Sequence, residues 1–334
     1  MHKTIIRGTL AMTAAAAGLL VAAGGASAST ASDRGLPAAQ AAASASKTFE
    51  DVVINPQSTT AYFTVPAKNE VAVLDLQTGI YGKPIPVGSD PQGIDITPNG
   101  ETLYVCDSGA QVISKVNIAA GTVTSIPTPP GDLSDTPFSI AVMNNGNALF
   151  STTFSGSGFG GNVYDLNLKT DAIKAVTSIG LNGQVTEDTP LSRSADHSTV
   201  GAVLGDDSGG FFYIYKAATG NVVSGELNDF ISSSSLNGNG STMLVDGISV
   251  IDASTGSLLG TINDSGGSSV LTSSGSVGYV LEQNSIVKLN ITRFLTGKSI
   301  PLSSPAGGGA QLALSRNGKF LVAETTNGAT IVNL

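Results

Sequence analysis

Cysteine, histidine and tryptophan are almost absent from this sequence. Its 334 residues include one Cys, two His and no Trp. Cys106 has no second cysteine with which to form an internal disulfide bond, so the stability of the fold must come from packing. His197, the only histidine after residue 2, is far from Cys106 in the sequence, which argues against a Cys–His nucleophile pair. We therefore expect Cys106 to be a small buried residue and His197 to be an exposed turn residue.

Charged residues and helical patterns are also scarce. Only 12% of the residues are charged, and no segment of helical length after Ala43 shows helical periodicity. The 41 glycines favour many strands joined by tight turns. The formal net charge is -9 at pH 7, which makes nucleic acid and anionic membranes poor partners.

The amino-terminal residues have the pattern of a secretory signal. Lys3 and Arg7 supply the positive end, residues 10–23 an apolar run, and Ala26-Ser27-Ala28 a small-residue cleavage site. A membrane anchor is the disfavoured alternative, because the apolar run is short and rich in alanine. Cleavage after Ala28 would remove two of the 16 basic residues and none of the 25 acidic ones, which leaves a formal charge of -11. We expect a secreted, extracellular protein with no membrane insertion once the signal is removed.

Four short strands follow one another in residues 91–127. Residues 93–97 alternate small or polar with apolar side chains, and Pro98-Asn99-Gly100 supplies turn chemistry. Further apolar runs, separated by turn residues, lie at 103–105, 112–116 and 123–126. This pattern predicts one small, twisted, antiparallel sheet.

The same stretch resembles the YVTN-type β-propeller repeat family, whose pattern is roughly P-x-G-I-x-x-T-P-D-G, L-Y-V-A-N, V-x-V-I-D, T-G. The match is close from Pro91 to Val105 and looser after it, where Cys106-Asp107 replaces the Ala-Asn pair. The resemblance implies a propeller built from such repeats in a secreted bacterial protein.

The turn after the first strand recurs along the chain. A Thr-Gly pair, as at Thr78-Gly79 and Thr296-Gly297, predicts the turn between the third and fourth strands of several units. One four-stranded sheet cannot bury both of its faces alone, so a repeat near forty residues predicts an all-β, seven-bladed propeller of four-stranded antiparallel blades. The turns that define the units lie at residues 55–58, 98–100, 144–146, 195–197, 237–240, 273–275 and 316–318.

The seventh unit lacks a fourth strand, because its third strand ends near Leu334. An unpaired edge would expose backbone hydrogen-bonding groups. We expect residues 43–49 to supply the missing outer strand, so that the amino- and carboxy-terminal segments together close the ring. The predicted organisation is a signal peptide in residues 1–28, a flexible Ala/Ser-rich lead-in in 29–42 and the propeller in 43–334.

Ring topology predicts an acidic loop face. The loops between blades and those between second and third strands emerge on one side of the ring, whereas Arg193, Arg316 and most other basic residues fall on the opposite side. The acidic side also carries Asp229, Asp246, Asp264, Glu282 and Glu324. The predicted ligand-binding residues on it are Asp90, Asp107, Asp132, Asp135, Glu187, Asp188, Asp206 and Asp207.

Two interpretations of this face stay open. Asp and Gly are common turn residues that keep a secreted surface soluble, whereas carboxylates converging at a channel mouth would suit Ca²⁺ or a cationic ligand. Asp206-Asp207 is the best local cation candidate, although it lacks EF-hand spacing. We predict a monomeric, non-catalytic binding or scaffold module whose partner is a protein, a cell-wall component or a small molecule.

The alternative function is that of a Ca²⁺-dependent hydrolase. Propeller lactonases resemble this chain in architecture, and the resemblance implies carboxylates or His and Arg groups at the channel mouth. Ser-His-Asp catalysis would need His197, which the repeat places on a turn away from the acidic side. Propellers that bind quinone cofactors commonly stack them on Trp, which this chain lacks.

Overall fold

The computed structural model describes residues 39–41, 48–129, 135–153, 159–186, 188–206 and 209–334, and the side chains of all these except 39–41 and 206. They belong to one unit, Leu36–Leu334. Their secondary structure is all-β apart from two 3-10 turns, Pro66–Lys68 and Ser108–Ala110. Within this part of the chain, no helix has the length and hydropathy to cross a membrane.

Seven four-stranded antiparallel sheets form the blades of a propeller, as predicted. The first strand, β1 (Ala39–Ala41), is discussed below. Blade 1 contains β2 (Val52–Ile54), β3 (Thr60–Val65), β4 (Glu70–Asp75) and β5 (Ile85–Pro86), and blade 2 contains β6 (Pro91–Ile96), β7 (Thr102–Asp107), β8 (Val112–Asn117) and β9 (Thr122–Pro127). Blade 3 contains β10 (Pro137–Val142), β11 (Asn147–Thr152), β13 (Val163–Asn167) and β14 (Ile173–Ala175), with a separate two-stranded ribbon of β12 (Phe159–Gly161) and β15 (Val185–Thr186).

The remaining blades repeat this order. Blade 4 contains β16 (Leu191–Arg193), β17 (Thr199–Asp206), β18 (Gly209–Lys216) and β19 (Val222–Leu227). Blade 5 contains β20 (Ser234–Leu236), β21 (Thr242–Val245), β22 (Ser249–Asp252) and β23 (Leu258–Thr261). Blade 6 contains β24 (Ser269–Leu271), β25 (Val277–Leu281), β26 (Ser285–Asn290) and β27 (Leu295–Pro301), and blade 7 contains β28 (Leu312–Leu314), β29 (Phe320–Thr325) and β30 (Gly328–Asn333).

The amino-terminal segment closes the ring, but earlier in the chain than predicted. Strand β1 pairs antiparallel with β30, with Ala39 opposite Val332, so the closing strand lies in the stretch assigned to the lead-in. Residues 42–47 lie outside the described residues. Phe49 is buried instead, and its ring stacks on Phe63 with centroids 4.4 Å apart. Because Ala39–Ala41 already pairs with β30, the outer edge position of blade 7 is filled before residue 43.

The apolar core lies between adjacent blades. In β7, Leu103 and Val105 pack against blade 1, whereas Tyr104 and Cys106 pack against blade 3. Both faces of the strand are buried, so it reads as a continuous apolar run in the sequence. Cys106 has no exposed surface, which confirms that it is a small buried residue.

The prediction of a turn at Thr296-Gly297 is wrong. Both residues lie inside β27, and the turn precedes them at residues 291–294. The Asn290 carboxamide oxygen accepts the Arg293 N–H at 3.1 Å, as the carboxylate of Asp75 accepts the Thr78 N–H at 2.8 Å in blade 1. The Asp or Asn that ends the third strand therefore marks these turns, because its side chain bonds the turn backbone.

Candidate functional site: the central channel and its two mouths

The first strands of the blades enclose a central cavity of about 320 Å³. These strands begin on the side of the loops between blades and run towards the turns that follow them. At the first end the lining includes Glu50 and Asp51, and we call this end the acidic mouth. At the other end it includes Arg193, His197 and Arg316, and we call this end the basic mouth.

Polar side chains in or just before the first strands fasten four of the blades to the blade that follows. In each case a carboxylate or hydroxyl oxygen on one blade accepts a backbone N–H from the following blade. The pairs are Asp51 with Ile94 (2.9 Å), Asp95 with Val142 (2.7 Å), Ser139 with Leu191 (3.0 Å) and Ser268 with Leu312 (3.1 Å). Many polar side chains that line the channel therefore make hydrogen bonds that hold neighbouring blades together.

Two of the predicted residues, Asp90 and Asp188, are exposed and lie near the acidic mouth. Burial raises the pKa of Glu50, and the negative charges of Asp90 and Asp188 raise it further. Burial also raises the pKa of Asp51 to about 7, against the lowering effect of N–H donors from Ile94 and Val52. Carboxylates from three loops therefore repel one another at this mouth.

Sequence reasoning missed Glu50 and Asp51, which stand at the centre of this mouth. The signal was available, because both residues directly precede the first strand of blade 1. An edge strand predicted at residues 43–49 leaves no loop between blade 7 and blade 1, so the sequence pattern assigns Glu50 and Asp51 to neither face.

Asp107 is not available to a ligand, contrary to prediction. It has no exposed surface and accepts hydrogen bonds from the Ser114 hydroxyl and the Gly88 N–H. Burial raises its pKa to about 6. A β-carbon at Gly88 would lie 2.6 Å from Oδ2 of Asp107, so glycine leaves room for this side chain. The last residue of β7 turns inward instead of lining the loop face.

The other predicted residues are only partly described. Asp135 is half-buried, and its Oδ2 accepts a hydrogen bond from the Asn162 side chain at 3.2 Å. Asp206 ends β17 with its backbone opposite Gly209. Asp132, Glu187, Asp207 and the side chain of Asp206 lie outside the described part of the chain.

Two further acids of this face stabilise strand ends. Asp246 Oδ1 accepts the Ser233 N–H at 2.7 Å, and Glu324 Oε2 accepts the Gln311 N–H at 2.9 Å. Glu324 is 3% exposed, and burial raises its pKa well above the ordinary value. These carboxylates hold the backbone where first strands begin, so the negative charge of the face is in part structural.

No three His, Cys, Asp or Glu side chains among the described residues are grouped so that they could hold a metal ion. Calcium binding therefore remains an expectation that rests on loops outside the described ranges, above all on the one that contains Asp206 and Asp207.

The basic mouth contains an ion pair that sequence reasoning did not find. Arg193 Nε lies 2.6 Å from Oδ2 of Asp95, and the side chains are 17% and 5% exposed. Asp95 also accepts the Ile96 N–H at 2.8 Å and the Val142 N–H at 2.7 Å. The side chain of blade 4 thus reaches blade 2 across the channel, past blade 3.

His197 is buried, which corrects its prediction as an exposed turn residue. It is 2% exposed, and its Nδ1–H donates to the Val142 carbonyl at 2.7 Å. Burial, together with the charge of Arg193, lowers its pKa to about 4. The nearby Ser194 hydroxyl donates to Asp196 at 2.6 Å instead of to the imidazole. These residues hold the turn between the first and second strands of blade 4 against blade 3, and they do not form a Ser-His-Asp relay.

No protein-family model and no curated protein matches this chain. Solved structures match its fold. Hydrazine synthase of Kuenenia stuttgartiensis is 15% identical with a TM-score of 0.68, over 86% of this chain and 97% of that chain. The WD40 repeats of RRP9 are 15% identical with a TM-score of 0.70, over 90% and 99%. U3-55K is 14% identical with a TM-score of 0.69, over 89% and 100%.

These identities are low, so the matches establish the fold alone. That fold is a seven-bladed β-propeller of four-stranded antiparallel blades. Proteins with this architecture serve many functions, so the function has to be argued from the site.

Proposed function

We propose that this protein is a secreted, non-catalytic binding or scaffold module that holds a positively charged group of its partner at the acidic mouth. The observation that carries the proposal is the set of carboxylates at this mouth. Glu50 and Asp51 line the channel, and Asp90 and Asp188 are close enough to raise the pKa of Glu50.

The proposed ligand charge follows from the electrostatics of this mouth. The groups that raise the pKa values of Glu50 and Asp51 by their charge are all carboxylates: Asp90 and Asp188 act on Glu50, whereas Asp51 is affected by Asp95, which is bound to Arg193, and by Glu50. A cation placed among Glu50, Asp90 and Asp188 would relieve their mutual repulsion and favour their ionised forms. An ammonium or guanidinium group suits a spread of carboxylates that are not grouped as metal ligands.

A lysine-rich peptide is a suitable probe, with its binding measured by calorimetry at low and at physiological salt. We expect the combined substitution Glu50→Gln and Asp90→Asn to weaken binding by about tenfold at low salt, because charge complementarity is lost. Glu101→Gln is the matched control. Glu101 is exposed on a turn at the opposite side of the ring, and the amide oxygen of Gln can still accept the Asn99 hydrogen bond.

Equal affinity in the double variant and the control would contradict the proposal, as would equally tight binding of a glutamate-rich peptide. The non-catalytic part has its own test, in which the purified protein is assayed on a panel of lactones with and without a chelator. Turnover that the chelator abolishes would favour the lactonase alternative instead.

A further inference from the structure

At the basic mouth, Arg193 is held in place by Asp95, but most of its hydrogen-bond donors have no close partner among the described residues. We propose that this mouth binds a small oxyanion, a carboxylate or phosphate group, between Arg193 and Arg316. The site lies at the opposite end of the channel from the acidic mouth, so it does not depend on the function proposed above.

Asp95 fixes Arg193 through one of its three guanidinium nitrogens. The contact with Asp95 is made by Nε alone, at 2.6 Å. Nη1 is 3.4 Å from the Ser194 carbonyl, a distance at the limit of a hydrogen bond, and no other hydrogen bond joins the guanidinium to a described residue. The two Nη groups therefore remain as a planar pair of donors, which is the geometry that matches carboxylate and phosphate oxygens.

The position of Arg193 is also rigid. Both oxygens of Asp95 accept backbone N–H groups, from Ile96 and from Val142, so the carboxylate cannot rotate to meet the guanidinium more fully. A donor pair that is locked before the ligand arrives loses little side-chain entropy on binding.

Arg316 approaches the same mouth from another wall. It follows β28 in blade 7, is exposed, and lines the cavity together with Arg193 of blade 4. The charges of both arginines lower the pKa of His197, which places them around the same buried ring. Two guanidinium groups from different blades thus face one end of the channel.

Acids near this end are already occupied. Asp95 is bound to Arg193 and to two backbone donors. The Asp196 carboxylate accepts the hydroxyl groups of Ser194 and Ser198, at 2.6 and 2.7 Å. Of these two acids only Asp95 lines the channel, so the lining at this end carries one carboxylate against two guanidinium groups in a protein that is acidic as a whole.

Inorganic phosphate and succinate are the probes, titrated by calorimetry at constant ionic strength with chloride as the balancing anion. We expect saturable binding of at least one probe, and whichever binds more tightly identifies the preferred oxyanion. Arg316→Gln should weaken that binding by about tenfold, the effect of losing one charged donor. Arg193→Lys should weaken it similarly, because lysine can still pair with Asp95 but lacks the planar donor pair.

Arg293→Gln is the matched control, since Arg293 is exposed on a turn of blade 6 away from the channel lining. It should leave binding unchanged. Arg316 is exposed, so its substitution tests the site even if the Arg193 variant folds poorly. The proposal would be overturned if neither phosphate nor succinate gave more heat than a chloride titration. It would also be overturned if the Arg316→Gln variant bound the probe as tightly as the wild type.

Discussion

Arg193 Nε lies 2.6 Å from Oδ2 of Asp95, and this single contact joins blade 4 to blade 2 across the channel. Loss of the arginine would leave a carboxylate that is 5% exposed without its counter-charge. Removing one partner of a buried ion pair typically costs about 3 kcal/mol or more. We expect Arg193→Met to lower the free energy of unfolding by about this amount in urea titrations.

The exposed pair Lys115–Asp171 provides the comparison, with side chains 29% and 46% exposed and an N–O distance of 3.2 Å. Asp171→Asn should cost less than about 1 kcal/mol, because surface pairs contribute little. A double-mutant cycle with Asp95→Asn and Arg193→Met should show clear coupling. Additive effects of the two substitutions would show that the contact contributes nothing across the channel.

Buried carboxyl groups should make stability depend on pH. The pKa values of Asp51 and Asp107 are raised to about 7 and about 6 in the folded protein, so the native state binds more protons than the unfolded state between pH 4 and 7. Their contribution is complete below the unfolded pKa near 4 and is lost as the pH rises through the folded values. Glu324 acts in the same direction.

His197 opposes this trend, because its pKa is lowered to about 4 and its contribution is lost as the pH falls below about 6.5. Glu50 adds a fourth carboxyl group with a raised pKa against this one imidazole, so we expect the melting temperature to fall from pH 5 to pH 8. Asp51→Asn should flatten the curve, chiefly between pH 5 and 7. A wild-type curve that rises over this range, or an unchanged slope in the variant, would contradict the assignment.

Strand β1 should be required for full stability of blade 7, because it pairs with β30 through residues 39–41. Deleting residues 29–38 should change the melting temperature little. Extending the deletion through Ala41 should lower it by several degrees, since the edge of β30 would be exposed. Identical melting of the two truncations would mean that blade 7 does not need this strand.

Calcium should raise the melting temperature only if the loop that contains Asp206 and Asp207 binds it. Ligand at a hundredfold excess over its dissociation constant stabilises a fold by about 2.7 kcal/mol. We expect Asp206→Asn with Asp207→Asn to reduce the shift at millimolar Ca²⁺, while Glu101→Gln leaves it unchanged. If calcium does not shift the melting temperature of the wild type, both calcium binding and the metal-dependent lactonase function are contradicted.

The secreted form should begin at Ser29, because Ala26 and Ala28 suit signal peptidase. Such cleavage would keep Ala39–Ala41, which the ring needs. Amino-terminal sequencing of protein recovered from the medium tests this. Retention of Met1, or a start beyond Ala41, would be incompatible with it.

Much of the fold was predictable because each repeat is local. Strands, turns and the burial of Cys106 follow from alternation and turn residues that lie within about forty positions of one another. Ring closure was also predictable, because an unpaired third strand in the last blade requires a partner. The closing strand itself was misplaced, since nothing in an Ala/Ser-rich segment distinguishes residues 39–41 from 43–49.

The channel was decided by tertiary structure. Asp95 meets Val142 and Arg193, which are 47 and 98 residues away, and only the closed ring brings these positions together. Whether an acid faces solvent or a backbone N–H also depends on packing. Asp107 turns inward against Gly88, Asp246 and Glu324 cap first strands, and Asp90 stays exposed. All four look alike in the sequence, because the cost of burying a carboxylate depends on donors that neighbouring loops and strands supply.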